Sequence, residues 1–285
     1  MVFDQLSMQT IKDLDFPPII LYAIPVMLSL VLLEWIIGNY KKKKLYDGKD
    51  FLSSAAIGVG NLLVDLLIKA GMLGLFIVFY NLSPLRIPYT WWSLVLAFVV
   101  IDFLRYWAHR WGHEWRMFWA THVTHHSSEN YNFSVSFRLS WTQHIKFIFY
   151  IPAIMLGFHP VIFFIANQLE VLYQFWIHTE LIRKLPAPIE YVFVTPSHHR
   201  VHHGRNPKYI DKNYGSTFII WDRIFGTFQK EEEQVDYGIT TPPNSYNPVY
   251  LNFHEWKAIL KDLKKARGAG DVVKILFGYP GSWKA

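Results

Sequence analysis

Histidine is concentrated in three short clusters of this sequence, and one further histidine stands alone near them. HRWGH contributes His109 and His113, HVTHH contributes His122, His125 and His126, HHRVHH contributes His198, His199, His202 and His203, and WIHTE contributes His178. The chain contains no cysteine, which excludes thiolate metal sites, iron–sulfur clusters, disulfides and cysteine nucleophiles. A metal ion in this protein must therefore be held by imidazole or carboxylate groups.

The spacing within the clusters suits helices that present imidazoles to a metal. Residues three or four apart share a helical face, so His109 and His113 can converge on one ion. The neighbours His125 and His126 point about 100° apart on a helix, so one cluster can supply ligands to two adjacent ions. A single zinc ion takes three or four protein ligands, and ten imidazoles exceed that number. We therefore predict that these ten histidines form a site for two metal ions.

Histidines near a membrane helix can also have roles outside catalysis. A single such histidine usually forms hydrogen bonds within the packing, and we expect this of His144, His159 and His254. For the clusters, a site for metal transport or storage is the stronger alternative, although transporters usually place their ligands near the bilayer midplane. Imidazole binds iron, zinc, copper and nickel alike, so the ligand type does not choose the metal.

Three carboxylates lie close in sequence to the histidines and are candidate catalytic groups. A histidine that binds a metal through one ring nitrogen usually donates its other ring N–H to an acceptor. Glu114 follows His113, Glu180 lies two residues after His178, and Asp222 follows the last cluster. We predict that these carboxylates orient the ligand histidines, whereas surface or helix-capping roles are the alternative.

The rest of the sequence indicates an all-α integral membrane protein. Hydrophobic residues make up 52% and charged residues 18% of the chain, whereas soluble domains carry about a quarter charged residues. Five apolar stretches lie at residues 19–37, 51–80, 91–107, 145–158 and 161–177. They predict about four to five membrane helices, some of them re-entrant or paired in a hairpin. We assign residues 1–285 to one membrane-embedded domain, because no internal repeat divides them.

The charges and turns between the stretches predict a topology. The four lysines at 41–44 follow the first stretch, and the positive-inside rule places them in the cytoplasm. The second stretch forms either one long tilted span or an interfacial helix followed by a shorter span. The fourth and fifth stretches join at a tight turn and predict a hairpin that dips into the membrane. This topology puts the predicted catalytic part, residues 108–144 and 178–254, on the cytoplasmic side.

The motifs together resemble the fatty acid hydroxylase (sterol desaturase) superfamily of membrane di-iron oxygenases. That superfamily shares the ordered pattern His-x(3–4)-His, His-x(2–3)-His-His and His-x2-His-His. The pattern occurs here at His109 and His113, at His122, His125 and His126, and at His199, His202 and His203. The resemblance implies two iron ions, dioxygen as co-substrate and a lipid as substrate. Iron also agrees with lipid C–H oxidation, which requires a redox metal, whereas zinc has no redox chemistry.

Longer segments are similar to the alkylglycerol monooxygenases within this superfamily. HRWGHEWRMFWATHVTHHSSENYN, LYQFWIHTELI and TPSHHRVHHGRNPKYIDKNYGSTFIIWDRIFGTF carry the likeness, which covers roughly residues 91–254. It implies hydroxylation of the ether-linked carbon of an alkylglycerol, with tetrahydrobiopterin as reductant, and collapse of the hemiacetal to a fatty aldehyde. No cofactor-binding residue is identified for the pterin.

The same motifs are compatible with a different lipid substrate or with no reaction at all. They permit a hydroxylase or desaturase of a sterol, fatty acyl or carotenoid chain, with an electron-donor protein in place of a pterin. A metal transporter or a non-catalytic lipid-binding protein represents a different class. We expect no nucleic-acid partner, because the net charge of +6 is scattered beside apolar segments and suits anionic lipid headgroups. The expected location is the endoplasmic reticulum membrane in a eukaryote or the inner membrane in a bacterium.

Overall fold

The protein is helical throughout the part of the chain that the structure, a computed structural model, describes: residues 5–7, 9, 13, 17 and 19–284. No strand occurs in these residues, and β-type pairing is limited to isolated bridges. The α-helices are α1 Ile19–Tyr40, α2 Gly48–Leu82, α3 Trp91–Glu114, α4 Arg116–Trp119, α5 Val123–His126, α6 Ile151–Met155, α7 Pro160–Trp176, α8 Ala187–Val192, α9 Pro196–His202, α10 Ile220–Phe225, α11 Pro248–Leu263 and α12 Ala269–Phe277. Two 3-10 helices lie at Phe133–Phe137 and Gln143–Tyr150.

The first three α-helices are long and apolar enough to cross a membrane. Their apolar side chains face outward, as in α2, where Leu66 is 72% and Leu67 is 81% exposed. Such exposure would be unfavourable in water and is expected in lipid. The prediction of an all-α membrane protein is confirmed.

The second apolar stretch lies within one continuous helix, α2, of 35 residues. At about 1.5 Å per residue it is roughly 50 Å long, well beyond a hydrocarbon core of about 30 Å. Its first turns carry the buried polar residues Asp50, Ser54 and Asn61, which face the protein. The helix is therefore longer than a direct crossing requires, and its first turns contact Ser128 and Arg138 close to the second histidine cluster.

The fourth and fifth apolar stretches fold differently from the first three. Residues 145–158 form the end of a 3-10 helix, then the short α6, and a turn at Gly157, whose φ is 77°. Helix α7 follows with 17 residues and packs against α3. Phe76 of α2, Ile101 of α3, Ile154 of α6 and Phe163 of α7 form the largest apolar core. The number of complete spans and the side that faces the cytoplasm stay predictions.

Buried carboxylates connect the membrane helices to the segments that carry histidines. Glu34 of α1 accepts hydrogen bonds from the Phe133 backbone N–H (2.8 Å) and from the Thr179 hydroxyl, next to His178. Asp102 of α3 accepts the backbone N–H of Thr217 and the indole N–H of Trp221, both at 2.7 Å. Burial makes such bonds costly to lose, so they fix these segments against the membrane helices.

Candidate metal centre

Five histidines form the first of two groups, named here the five-histidine group. They are His109 and His113 from the last two turns of α3, His122 and His126 at the start and end of α5, and His202 at the end of α9. Each offers one ring nitrogen, and these nitrogens all lie within 4.8 Å of one another. The helical spacing of four residues brings His109 beside His113 and His122 beside His126.

Four histidines form the second group, named here the four-histidine group. They are His125 of α5, His178 just after α7, His199 of α9 and His203 just after α9. All four are buried, and their ring nitrogens also lie within 4.8 Å of one another. His178, which stands alone in the sequence, completes this group because the end of α7 meets α5 and α9.

The two groups are neighbours, since the sequence clusters divide between them. His125 and His126 are adjacent in α5 and face different groups, and His199 and His202 of α9 also separate. The rings of His126 and His203 stack across the boundary with centroids 4.3 Å apart. The structure thus places nine of the ten predicted ligands around two adjacent points, which fits two metal ions.

In three histidines the outer ring nitrogen, Nδ1, forms a hydrogen bond, which leaves a lone pair on the inner nitrogen, Nε2, that faces the other histidines. Nδ1 of His109 lies 2.8 Å from the Tyr214 carbonyl oxygen, and Nδ1 of His178 lies 2.7 Å from the Gln174 carbonyl oxygen. Nδ1 of His202 lies 3.0 Å from the Lys212 carbonyl oxygen. A carbonyl oxygen only accepts, so Nδ1 donates and Nε2 of the neutral ring has no proton.

Inner ring nitrogens converge closely within the groups. Nε2 of His178 lies 3.2 Å from Nε2 of His125 and 3.0 Å from Nε2 of His199. Nε2 of His109, which is buried, has no hydrogen-bond partner among the described residues. Converging lone pairs in a buried site are unfavourable unless a cation binds them. The residues present therefore fit metal ions.

Burial also keeps these imidazoles neutral. It lowers the pKa values of six histidines well below the ordinary range, and neighbouring imidazoles lower them further: His122, His125, His126, His199, His202 and His203. Burial lowers the pKa of His178 to about 4. Neutral imidazole is the form that binds metal, so the site is prepared for metal at neutral pH.

His198, the tenth predicted ligand, lies outside both groups. Its Nδ1 accepts the backbone N–H of Thr195 (3.3 Å), and its Nε2 lies 3.3 Å from a Glu190 carboxylate oxygen. Because adjacent residues of a helix diverge by about 100°, His198 points away from the group that His199 joins. We therefore leave His198 out of the proposed ligand set.

The three histidines expected to have packing roles also lie outside the groups. His254 donates from Nδ1 to the Leu251 carbonyl oxygen at 3.0 Å, since a carbonyl oxygen can only accept. His159 caps α7 by accepting the Val161 N–H (3.3 Å), and His144 lies 2.7 Å from a carboxylate oxygen of Asp65.

The three predicted carboxylates interact with groups other than the ligand histidines. Glu114 pairs with Arg110 at 2.8 Å, and Glu180 interacts with Tyr237. Asp222 accepts the backbone N–H groups of Tyr214 and Gly215, both at 2.7 Å. Backbone carbonyls instead accept the outer ring N–H groups, and no sequence pattern marks them. Asp211, which sequence reasoning missed, lies 3.7 Å from Nδ1 of His113.

A cavity of about 180 Å³ opens onto the rings of both groups. It is lined by His113, His126, His202 and His203 together with Trp119, Asp211 and Tyr279. The cavity gives a small part of a substrate direct access to the histidines, with aromatic side chains among its walls.

Comparison with known proteins agrees with this arrangement. Residues 94–227 match the family model described as fatty acid hydroxylase. This segment is therefore similar to fatty acid hydroxylase domains. It contains the first two histidine clusters, His178 and the third cluster, and the resemblance predicted from the motifs is confirmed.

Curated relatives extend the similarity over nearly the whole chain. Human alkylglycerol monooxygenase is 41% identical over 286 residues, which cover 96% of this chain and 62% of the human protein. The Danio rerio alkylglycerol monooxygenase is 38% identical over 289 residues, 98% of this chain and 62% of that protein. Ornithine lipid hydroxylase OlsE of Rhizobium tropici is 28% identical over 159 residues, 52% of this chain and 46% of that protein. The chain thus spans about three fifths of the length of these two alkylglycerol monooxygenases. No solved structure matches it.

Proposed function

We propose that this protein is a di-iron lipid monooxygenase that cleaves the O-alkyl ether bond of alkylglycerols. The observation that carries the proposal is the pair of adjacent histidine groups at the ends of apolar helices. The similarity to alkylglycerol monooxygenases over most of the chain supports the choice of substrate. The nine grouped histidines are the proposed metal ligands, and His198 is not among them.

Iron bound in the two groups would supply the redox chemistry of dioxygen activation, which zinc cannot. The balanced reaction joins one oxygen atom of O2 to the ether-linked carbon, and the other leaves as water. Two electrons and two protons come from the reductant, for which we propose tetrahydrobiopterin. The hemiacetal then breaks its C–O bond and gives a fatty aldehyde and a glycerol derivative.

The chain's own residues set the conditions for this reaction. The neutral, buried imidazoles hold fixed positions through the carbonyls of Gln174, Lys212 and Tyr214. Trp119 and Tyr279 line the cavity beside the rings and would exclude water from the reacting carbon. These groups position the substrate rather than transfer its atoms.

The proposed orientation places the histidine-bearing residues 108–144 and 178–254 on the cytoplasmic side, as lysines 41–44 indicate. There the centre can receive a lipid from the bilayer without full extraction into water. The corresponding membrane is the endoplasmic reticulum in a eukaryote or the inner membrane in a bacterium.

A second candidate is hydroxylation of a lipid without an ether bond, with the hydroxyl group retained in the product. The similarity to ornithine lipid hydroxylase OlsE over about half of this chain favours it over metal transport or lipid binding without catalysis. In this case an electron-donor protein would replace the pterin. The product distinguishes the two functions, because only hydroxylation next to an ether oxygen releases an aldehyde.

The test is aldehyde formation by iron-loaded protein in lipid vesicles, supplied with an alkylglycerol, O2 and a tetrahydropterin. We expect one aldehyde for each O2 consumed, and no aldehyde when the pterin or the ether lipid is left out. A retained hydroxyl on a lipid without an ether bond would replace this proposal with the second candidate. Iron binding without any lipid-dependent O2 consumption would contradict both and favour a transport or storage role.

A further inference from the structure

A four-residue segment, Asp211–Tyr214, contacts three of the five histidines in the five-histidine group. The Lys212 carbonyl oxygen lies 3.0 Å from Nδ1 of His202, and the Tyr214 carbonyl oxygen lies 2.8 Å from Nδ1 of His109. A carboxylate oxygen of Asp211 lies 3.7 Å from Nδ1 of His113. One loop therefore lies behind histidines that come from both α3 and α9.

The four-histidine group has no comparable support among the described residues. His178 donates to the Gln174 carbonyl of its own helix, four residues earlier. Nδ1 of His125 and Nδ1 of His199 are buried and have no hydrogen-bond partner in the part of the chain that the structure describes. The segment Asp211–Tyr214 thus contacts the five-histidine group and not the four-histidine group.

The backbone of this segment adopts an uncommon conformation. Asp211 has φ 59° and Asn213 has φ 56°, both in the left-handed region. Side chains other than glycine rarely adopt this region, and Asn and Asp tolerate it best. Residues that alternate between left-handed and ordinary conformations bring the carbonyls of Lys212 and Tyr214 to histidines of the same group.

Asn213 holds the segment in this conformation. Its side chain is fully buried and forms three hydrogen bonds: Nδ2 donates to the carbonyl oxygens of His198 (3.1 Å) and Gln229 (2.8 Å), and Oδ1 accepts the Gln229 N–H (2.8 Å). The bond to His198 connects the segment directly to α9, which carries His199 and His202. Asp222 holds the far end by accepting the Tyr214 and Gly215 N–H groups.

We infer that Asp211–Tyr214 is a positioning element for the five-histidine group, and that Asn213 is the positioning residue that maintains it. The inference rests on the proposed function only in that both groups bind metal. Partners that orient metal-binding histidines contribute about 10–100-fold to metal affinity. Loss of the Asn213 side chain should therefore weaken one ion and leave the other unchanged.

The experiment titrates metal-free Asn213→Gly protein with Co²⁺ against a competing chelator and counts bound ions by mass spectrometry and by visible absorption. Glycine accepts the positive φ, so the substitution removes the three hydrogen bonds without backbone strain. We expect the wild type to bind two ions. In the variant, the ion in the five-histidine group should bind about 10–100-fold more weakly, and the ion in the four-histidine group should bind with unchanged affinity. The matched control is Asn244→Gly, an exposed asparagine with φ 48°, which should bind both ions like the wild type.

Two further variants separate positioning from folding. Asn213→Asp keeps an acceptor for the Gln229 N–H but places its second carboxylate oxygen against the carbonyl oxygens of His198 and Gln229, so it should weaken the same ion at least as much as Asn213→Gly. Asp211→Asn changes a side chain that is 36% exposed and should weaken the same ion without lowering the melting temperature of the metal-free protein.

The outcomes distinguish this inference from the proposed function. If the wild type binds two ions and Asn213→Gly binds both equally well, or both equally more weakly, the positioning role is wrong and the two-metal site stands. If the wild type itself fails to bind two ions, the proposed metal centre is wrong and the inference falls with it.

Discussion

Replacement of His126 by alanine is expected to abolish aldehyde formation and to lower the bound iron. Nε2 of His126 lies 3.2 Å from Nε2 of both His122 and His202, so it belongs to the centre of the five-histidine group. Removal of partners that only orient a ligand costs about 10–100-fold, so loss of a ligand should cost at least as much. The measurements are iron per chain and the rate of aldehyde release in the same lipid vesicles.

The control for this substitution is His254→Ala. His254 lies outside both groups, and its ring contacts the Leu251 carbonyl of its own helix. This variant should keep the iron content and activity of the wild type. Full iron and full activity in His126→Ala protein would show that the five-histidine group is not a catalytic metal site.

The second large effect concerns stability and involves Arg138. Its side chain is 1% exposed, lies 2.5 Å from a carboxylate oxygen of Asp50, and donates to the hydroxyls of Ser54 and Ser127, both at 2.9 Å. Ser127 directly follows His126, so Arg138 connects α2 to the segment that bears the second histidine cluster. Arg138→Met should lower the free energy of unfolding by about 3–5 kcal/mol, because Asp50 would remain buried without its partner.

Unfolding in detergent, followed by helical circular dichroism, measures this effect. Arg205→Met is the comparison, because Arg205 pairs with Glu129 and Asp236, which are each 62% exposed. Exposed pairs contribute about 0–1 kcal/mol, so that variant should stay within this range. Adding Asp50→Asn to Arg138→Met should restore part of the loss, and equal small effects of both arginine substitutions would contradict the role of the buried pair.

The histidine groups could be predicted because helical spacing is a local property. Residues four apart, such as His122 and His126, share a face in any helix, and neighbours such as His125 and His126 diverge. His198 could not be assigned from the same pattern, because helix α9 begins only two residues earlier and the ring caps its first turn. Which of four clustered histidines turns toward a metal depends on where the helix begins.

The groups that hydrogen-bond to the histidines could not be predicted from the sequence. Lys212 and Tyr214 act through backbone carbonyls, which every residue has, so residue type gives no signal. Asp211 and Asn213 are ordinary turn residues until their positive φ angles are known.

The apolar stretches predicted where helices form more accurately than whether those helices face lipid or protein. Residues 19–37 and 91–107 lie within α1 and α3, which are long enough to span a membrane. Residues 145–158 are equally apolar but form shorter elements whose Ala153, Ile154 and Phe158 are fully buried in protein. Lipid and protein interiors both favour apolar side chains, so composition does not separate the two environments.

A crystal structure of the iron-loaded protein, with anomalous diffraction recorded at the iron edge, tests the central claim most directly. We predict two iron peaks, one among His109, His113, His122, His126 and His202, and the other among His125, His178, His199 and His203. A single peak, or peaks outside these groups, would contradict the assignment of the nine histidines to a di-iron centre.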